Sequence, residues 1–398
     1  MLTSLFDYPL PNHLIAQTPL AERDASRLLI ADAHTKSIAD SQFSHLPNIL
    51  NSAFCAHNKP PLIIVNRSRV FPARIRVQRK SGGRGEVFLL EKGDSNASVS
   101  CLIRPQKKLR EGEILYADTK DTEKARPLLR IESLNPPRVS PVDSTFSELI
   151  AAFGEMPLPP YIERDPQKVG SEYAKLDKMR YQTLYAHEEG SVAAATAGLH
   201  FTDTIIEKCR SLGCEFAHVV LHVGLGTFQP VQATRVAEHK MHQEYCMVPE
   251  KTAEKIAQWI TNEWPIIFVG TTSLRTVESF ARRAFAKSAV PVSQLRQHIH
   301  DSAQNGSLQK IFMAEAGLWF STELFLHPDN LESSKTPSLG DAILTNFHQP
   351  QSTLAMLVAS ILSYPFWQQV YAHAIEKEYR FLSYGDSSLL YFAERVRP

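Results

Sequence analysis

The sequence has no C-x-x-C pair, and its cysteines number only five: Cys55, Cys101, Cys209, Cys214 and Cys246. An odd count without paired spacing predicts reduced thiols rather than a disulfide framework or a thiolate metal site. Long apolar runs are also missing. The longest, Leu354 to Leu362, is far short of the roughly 20 residues of a membrane-spanning helix. Asp7, Pro9 and Pro11 stand where a signal peptide needs an apolar stretch. These absences predict a cytoplasmic protein with no membrane partner. Charge of one sign is not in excess either: 43 Lys and Arg against 42 Asp and Glu leave a net charge of +1, so the molecule as a whole is no electrostatic magnet for nucleic acid. No P-loop, kinase signature or G-x-S-x-G elbow is present.

What is there is ordinary globular composition, 43% hydrophobic and 21% charged over 398 residues, enough for two domains. A buried-strand signal, Leu62-Ile63-Ile64-Val65, precedes a polar corner at Asn66. Short alternating segments follow, such as Ala73-Arg74-Ile75-Arg76-Val77 and Gly85 to Leu90, separated by Gly82-Gly83, Gly93-Asp94 and Gly112; this pattern predicts a small β-barrel. Met156 to Pro160 reads as a stiff connector. Beyond it helices and strands alternate: helix Thr202 to Leu212, strand Cys214 to His222, helix Glu250 to Asn262 and strand Ile266 to Val269. Leu274, Val277, Ala281, Ala284 and Phe285 then form the stripe of an amphipathic helix. Pro350 is placed to open a further helix running to Ser363, and Lys287 to Gln309 reads as an unpatterned surface excursion. The expected fold is therefore a large mixed α/β domain, residues 1–72 and 158–398, interrupted by an inserted small β-barrel domain, residues 73–157.

Four clusters join glycine, hydroxyls and imidazoles at element ends: Thr196 to Thr202, His222 to Phe228, Gly270 to Arg275 and Thr345 to Pro350. Gly270-Thr271-Thr272-Ser273 follows a strand and opens a helix, a natural anion site because free N–H groups and the helix dipole both favour negative charge; the alternative is a well-capped helix. Tyr379 to Asp386 packs aromatics, a guanidinium and a carboxylate into eight residues. From Arg67 to Arg84 there are seven basic residues and no acidic one, so Arg74, Arg76, Arg79 and Lys80 are candidate phosphate contacts, with a solvated strand face as the alternative. His218, His222, His239 and His242 invite a zinc reading, but neither pair fits H-E-x-x-H, and no metal is expected.

These clusters together resemble the S-adenosylmethionine:tRNA ribosyltransferase-isomerase family of queuosine biosynthesis. The matches run in order through Phe6-Asp7-Tyr8, Leu14 to Gln17, Arg23 to Leu29, Met156 to Ile162, Tyr181-Gln182-Thr183, Gly190 to Phe201, Leu221 to Pro230, His239 to His242, Val269 to Glu278, Thr345 to Leu357 and Tyr379 to Asp386. The resemblance implies an α/β domain interrupted by a β-barrel. It also implies the reaction: S-adenosylmethionine donates its ribosyl carbons to 7-aminomethyl-7-deazaguanine at the tRNA wobble position, leaving epoxyqueuosine, adenine and methionine. S-adenosylmethionine is then a consumed co-substrate, no true cofactor is required, and a monomer is expected.

Such chemistry needs a base for the carbon beside the sulfonium, a donor toward departing adenine, and anion contacts for the methionine end. His222, His200 and His348 are the acid or base candidates, His222 first because it ends a strand before a glycine loop. The motif positions Arg27, Asn66, Arg69, Phe201, Thr202, Gly224, Gly226, Thr227, Phe228, Gly270, Thr271, Thr272, Arg275, Asn346, Tyr384 and Asp386 are candidate substrate contacts. Arg275 with Thr271 and Thr272 is expected to hold the carboxylate, and Asp386 a ribose hydroxyl or an amine. The chain departs from the family pattern at Arg67, where an acid is usual, at Ala195 for proline, at Gln351 for lysine and at Ser387-Ser388. Two other classes stay open: a metal-dependent hydrolase, and a tRNA-binding homologue without catalysis.

Overall fold

The structure, a computed structural model, describes residues 1–93, 97–119, 125–164, 172–224, 231–286, 294–328, 337 and 339–393. Its centre is a mixed nine-stranded sheet in the order Phe320–Thr322, Glu244–Met247, Glu215–Leu221, Leu62–Asn66, Ile266–Val269, Ala342–Asn346, Ser387–Tyr391, Arg27–Asp32, Ser37–Gln42. The four strands from Glu215–Leu221 to Ala342–Asn346 are mutually parallel. Three of them are buried at every residue, which is why each opens on an apolar run: a parallel strand is covered on both faces.

Alternation along Leu62–Asn66 divides the core. Leu62 and Ile64 face one layer with the helices Glu250–Thr261, Gly270–Ala286, Thr353–Leu362 and Tyr364–Glu376. Ile63 and Val65 face the other, with Leu46–Ala53 and Asp203–Ser211. Each such fully buried Ile or Val contributes roughly 1.5–3 kcal/mol. The expected stripe is present: Leu274, Val277, Ala281, Ala284 and Phe285 are all buried in Gly270–Ala286.

The second unit is a closed barrel. Strands Arg74–Arg79, Arg84–Leu89, Val99–Arg104, Pro137–Pro141, Pro127–Leu134 and Ile114–Ala117 pair in that order, and the last closes on the first through Val77 opposite Ala117. The period of two sends Ile75 and Val77 into a core with Val87, Leu89, Cys101 and Leu129, while Arg74 and Arg76 face outward. After helix Phe146–Phe153, started by a Thr145–Glu148 capping box, the strand Gly154–Glu155 returns to pair with Arg74 and Ile75. The barrel thus interrupts a sheet domain that already includes the strands Arg27–Asp32, Ser37–Gln42 and Leu62–Asn66, as the sequence implied.

Two local expectations are corrected. The helix assigned to Pro350 begins at Thr353, because the Ser352 hydroxyl accepts the Ala355 N–H at 3.1 Å and so caps it. Gln351, at φ 54°, belongs to the preceding turn. The supposed excursion Lys287 to Gln309 is helical in the part described: Leu295–Gln304 is followed by Leu308–Met313, and Leu295, Ile299, Ala303 and Leu308 enter the main core. Their 4-4-5 spacing was obscured by the His, Gln and Asp residues of the outer face. Residues 287–293 lie outside the described set.

Candidate active site

Parallel α/β sheets place ligands outside the carboxyl ends of their strands, and the cleft here opens at that edge. After Val269 the chain enters Gly270-Thr271-Thr272, after Asn346 it enters Phe347-His348-Gln349, and after Leu221 it reaches Val223; all line one cleft with Thr196, Thr345, Ser352, Tyr161 and Ser383. The cleft encloses about 80 Å³, too little for a nucleoside.

Among the described residues, two polar atoms in its wall are buried and without a hydrogen bond: Asn346 Oδ1 and Thr272 Oγ1. Leaving such an atom unmet costs about 1–3 kcal/mol; other buried atoms, such as Trp367 Nε1, are unmet too, and these two differ in lining a cleft. Asn346 Nδ2, in contrast, is satisfied by the Asp386 carbonyl and by His200 Nε2, each at 3.2 Å. His348 also lines the cleft. Its Nε2 lies 2.9 Å from Thr345 Oγ1, and its backbone is clamped by Tyr8, which donates to the carbonyl, and by Tyr371, which accepts its N–H at 3.2 Å. Burial lowers the pKa of His348 to about 3, so its imidazole is neutral at physiological pH. His200 is likewise lowered to about 3 by burial and then by Arg23 and Arg380; it packs 5.2 Å from the Phe43 ring and borders a separate small recess.

His222 is held differently. Its Nδ1 is 2.9 Å from Ser68 Oγ and its ring stacks 5.2 Å from the half-exposed Trp319. Gly190 forms the floor: a Cβ there would come within 2.5 Å of the imidazole. Burial lowers the pKa of His222, with Glu188 opposing. The side chain does not join the cleft, although its neighbour Val223 does. The zinc reading fares no better: His218 contacts Arg67 while His222 contacts Ser68, and no group of three potential ligands forms among the described residues.

Of the expected substrate contacts, the cleft gathers Gly270, Thr271, Thr272 and Asn346. Gly226, Thr227 and Phe228 lie outside the described residues. Several others hold the frame instead. Arg275 is only 3% exposed; it pairs with the buried Glu244 and donates to the Leu324 carbonyl at 3.0 Å, its Nη2 is left without a partner, and it is not among the residues lining the cleft. Glu244 also accepts the Gly224 N–H at 3.2 Å, anchoring the start of the glycine loop. Asp386 accepts the N–H groups of Arg27 at 3.0 Å and Arg380 at 2.8 Å, fixing the final turn rather than facing a ribose. Asn66 bonds Leu221 and Ser68 backbone at a strand corner. Thr202 caps the helix Asp203–Ser211, Phe201 is core, and Arg27 donates to the Lys377 carbonyl at 2.6 Å beneath the Tyr379 ring. Tyr384 donates to Asp177 at 3.0 Å. Arg69 is exposed. The sequence reading missed Thr345, Tyr161 and Ser383; only their position inside motif segments marked them.

The basic stretch is also changed by folding. Arg74 pairs with Glu86 at 2.7 Å, Arg76 with Glu155 at 2.8 Å and Arg79 with Glu113 at 2.6 Å. Lys80 is exposed. Arg67, the reversed charge, is absorbed by Glu188 at 2.9 Å and by His218, and Ala195 sits in the cleft wall.

An α/β enzyme scaffold with a polar cleft at its strand ends and an inserted barrel defines the class, and comparison defines the family. The family model described as "Queuosine biosynthesis protein" matches residues 3–390, and the chain belongs to that family. It is 36% identical over 390 residues to the S-adenosylmethionine:tRNA ribosyltransferase-isomerase of Thermotoga maritima, covering 98% of this chain and all of that one. A crystal structure of an S-adenosylmethionine tRNA ribosyltransferase from Thermotoga maritima aligns over 97% of this chain and 100% of its own, at 28% identity and a TM-score of 0.47.

Proposed function

We propose that this enzyme transfers the ribosyl carbons of S-adenosylmethionine to 7-aminomethyl-7-deazaguanine at the wobble position of a tRNA and isomerises them, yielding epoxyqueuosine, adenine and methionine. The observation that carries the reading is identity of 36% along 98% of the chain to a relative named for that activity. S-adenosylmethionine is consumed as a co-substrate and no separate cofactor takes part. The protein acts as a monomer in the cytoplasm, and Lys80, with the outer edges of Arg74, Arg76 and Arg79, touches tRNA phosphates.

The cleft is assigned to the methionine end of the donor. Helix Gly270–Ala286 presents its first N–H groups there, and with the Thr272 hydroxyl these suit a carboxylate. Asn346 Oδ1, an acceptor without a partner, suits the ammonium. His348 has to be neutral beside that cation, and burial keeps it so. The ribosyl and adenine portions then extend past Val223 toward His222. An imidazole with pKa near 3 is a weak base, which disfavours His200 and His348 for proton abstraction. His222 is less buried and is assigned to remove the proton from the carbon beside the sulfonium, with Ser68 fixing its ring.

Incubation with precursor tRNA and S-adenosylmethionine is expected to release adenine and methionine together, with turnover unaffected by a chelator. Release of S-adenosylhomocysteine would make the protein a methyltransferase and end this reading. Activity lost to the chelator and restored by zinc would revive the hydrolase.

A further inference from the structure

A second cavity, of about 540 Å³, lies between the barrel and the segment that leads back to the sheet domain. Its barrel wall is Pro72, Arg74 and Arg76; its opposite wall is Arg164, Tyr173, Lys175 and Lys178; Met156 and Leu158 give an apolar floor. A further cavity of about 370 Å³ shares Arg74, Leu158, Glu163 and Arg164 with it, so the two form one groove. Of this space, the reading above uses only the outer edges of Arg74 and Arg76.

Among the described residues, the larger cavity combines an aromatic face with five cations and three carboxylates, Glu155, Glu163 and Asp177. The Tyr173 ring is 44% exposed, and the Arg164 guanidinium lies 5.2 Å from its centroid. Arg164 is oriented by two hydrogen bonds of 2.8 Å to Asp177, and its Nη1 donates to the Gln17 carbonyl at 3.0 Å. Arg74 and Arg76 already carry Glu86 and Glu155. Lys175 and Lys178, both exposed, have no carboxylate partner among the described residues. A flat ring with an apolar floor and unpaired lysines at the rim is the pattern that takes a nucleotide, base on the aromatic and phosphate on the ammonium groups.

Its position relates it to the active cleft. Tyr161 lines the cleft and Arg164 lines the groove, and three residues of chain span at most about 10 Å. Asp177 also accepts the Tyr384 hydroxyl at 3.0 Å, while Tyr161 lies 2.7 Å from Ser383 through their hydroxyls. The groove and the cleft are therefore built on the two sides of one braced segment. We propose that the groove seats an unpaired nucleotide of the RNA loop next to the modified one, stacked on Tyr173 and neutralised by Lys175 and Lys178. This rests on the reading of the chain as a tRNA-modifying enzyme.

The test is the affinity of the full-length protein for a hairpin RNA reproducing the anticodon arm, read by fluorescence anisotropy at two salt concentrations. The hairpins carry either a complete loop or an abasic site at the position immediately 5′ or 3′ of the target. Tyr173→Ala is expected to weaken binding of the complete loop roughly tenfold. One of the two abasic loops is expected to bind the parent equally weakly, with no further loss in Tyr173→Ala. Lys175→Ala with Lys178→Ala is expected to flatten the salt dependence. Circular dichroism melting checks that each variant is folded. Losses from the abasic site and from Tyr173→Ala that multiply, or parent-like binding by folded Tyr173→Ala, overturn the groove while the functional reading stands. If the parent binds no hairpin at all, both fall.

Discussion

The outer face of the barrel strand Arg74–Arg79 and the cleft at the sheet's edge invert their appearance on folding. In the sequence the strand is a run of cations without an acid, and the cleft segments are mostly uncharged. In the structure Arg74, Arg76 and Arg79 each meet a glutamate from another element, whereas the cleft keeps Asn346 Oδ1 and Thr272 Oγ1 buried and unmet. Partly exposed ion pairs of the first kind contribute little, about 0–1 kcal/mol. An unmet buried atom costs more than such a pair contributes. Unmet buried atoms alone do not mark a ligand site, since Gln78 Nε2 on the strand Arg74–Arg79 is unmet as well; those of Asn346 and Thr272 stand out because they line a cleft at the strand ends.

The largest expected effect tests the frame behind the cleft. Glu244→Ala strands the buried Arg275 charge and releases Gly224, so urea unfolding is expected to show a loss of about 3–5 kcal/mol. A loss under 1 kcal/mol, about that of an exposed pair, would erase the contrast with the barrel. Next, His222→Ala is expected to slow single-turnover adenine release by about a hundredfold or more with donor affinity nearly intact. Near-normal release would remove His222 from the mechanism.

Thr272→Val separates the two regions by sign. It is expected to leave the free protein as stable or slightly more so, because an unmet hydroxyl is removed, while calorimetry shows S-adenosylmethionine bound roughly tenfold more weakly. Equal affinity would detach the cleft from the donor.

Acidification gives the next effect. His200 and His348 have folded pKa values lowered to about 3 from 6.5, so the unfolded chain takes up their protons first. Their stabilising contribution is complete above about pH 6.5 and falls with pH down to the folded value, at about 1.4 kcal/mol per unit for each. His348→Asn is expected to flatten that slope by one histidine's share in denaturation curves between pH 6 and 4; an unchanged slope would mean the imidazole is already charged. Smallest is the barrel itself: Lys80→Ala is expected to reduce the salt slope of tRNA binding by about 1, and Arg76→Ala by less, because Glu155 already neutralises it. The reverse order would restore the arginines as the main phosphate contacts.

Much of the scaffold was legible because its signals are local. Leu62-Ile63-Ile64-Val65 needs both faces covered whatever its neighbours, and the alternation Ile75, Val77 requires a one-sided β core. The helix Leu295–Gln304 was not legible, since its few apolar positions matter only against the helices Glu250–Thr261 and Leu308–Met313. The same holds for the candidate site. Glycine, threonine and imidazole at strand ends fall at the edge of the sheet where the cleft opens, but nothing local separates Thr272, which lines the cleft, from Arg275, which pairs with Glu244.

The sequence alone determined the family, the α/β scaffold, the barrel inserted in it and the segments that meet at the ligand edge, because composition, periodicity and motif order are properties of the chain. Tertiary structure alone decided which of those side chains are available. It paired the arginines with distant glutamates, turned His222 to Ser68 and Trp319, held Asp386 to two backbone N–H groups, and left Asn346 and Thr272 each with an atom unmet. The physical reason is that hydrogen bonds and ion pairs are settled by contacts between residues far apart in the chain, and those contacts set how much of each polar group is left for a ligand.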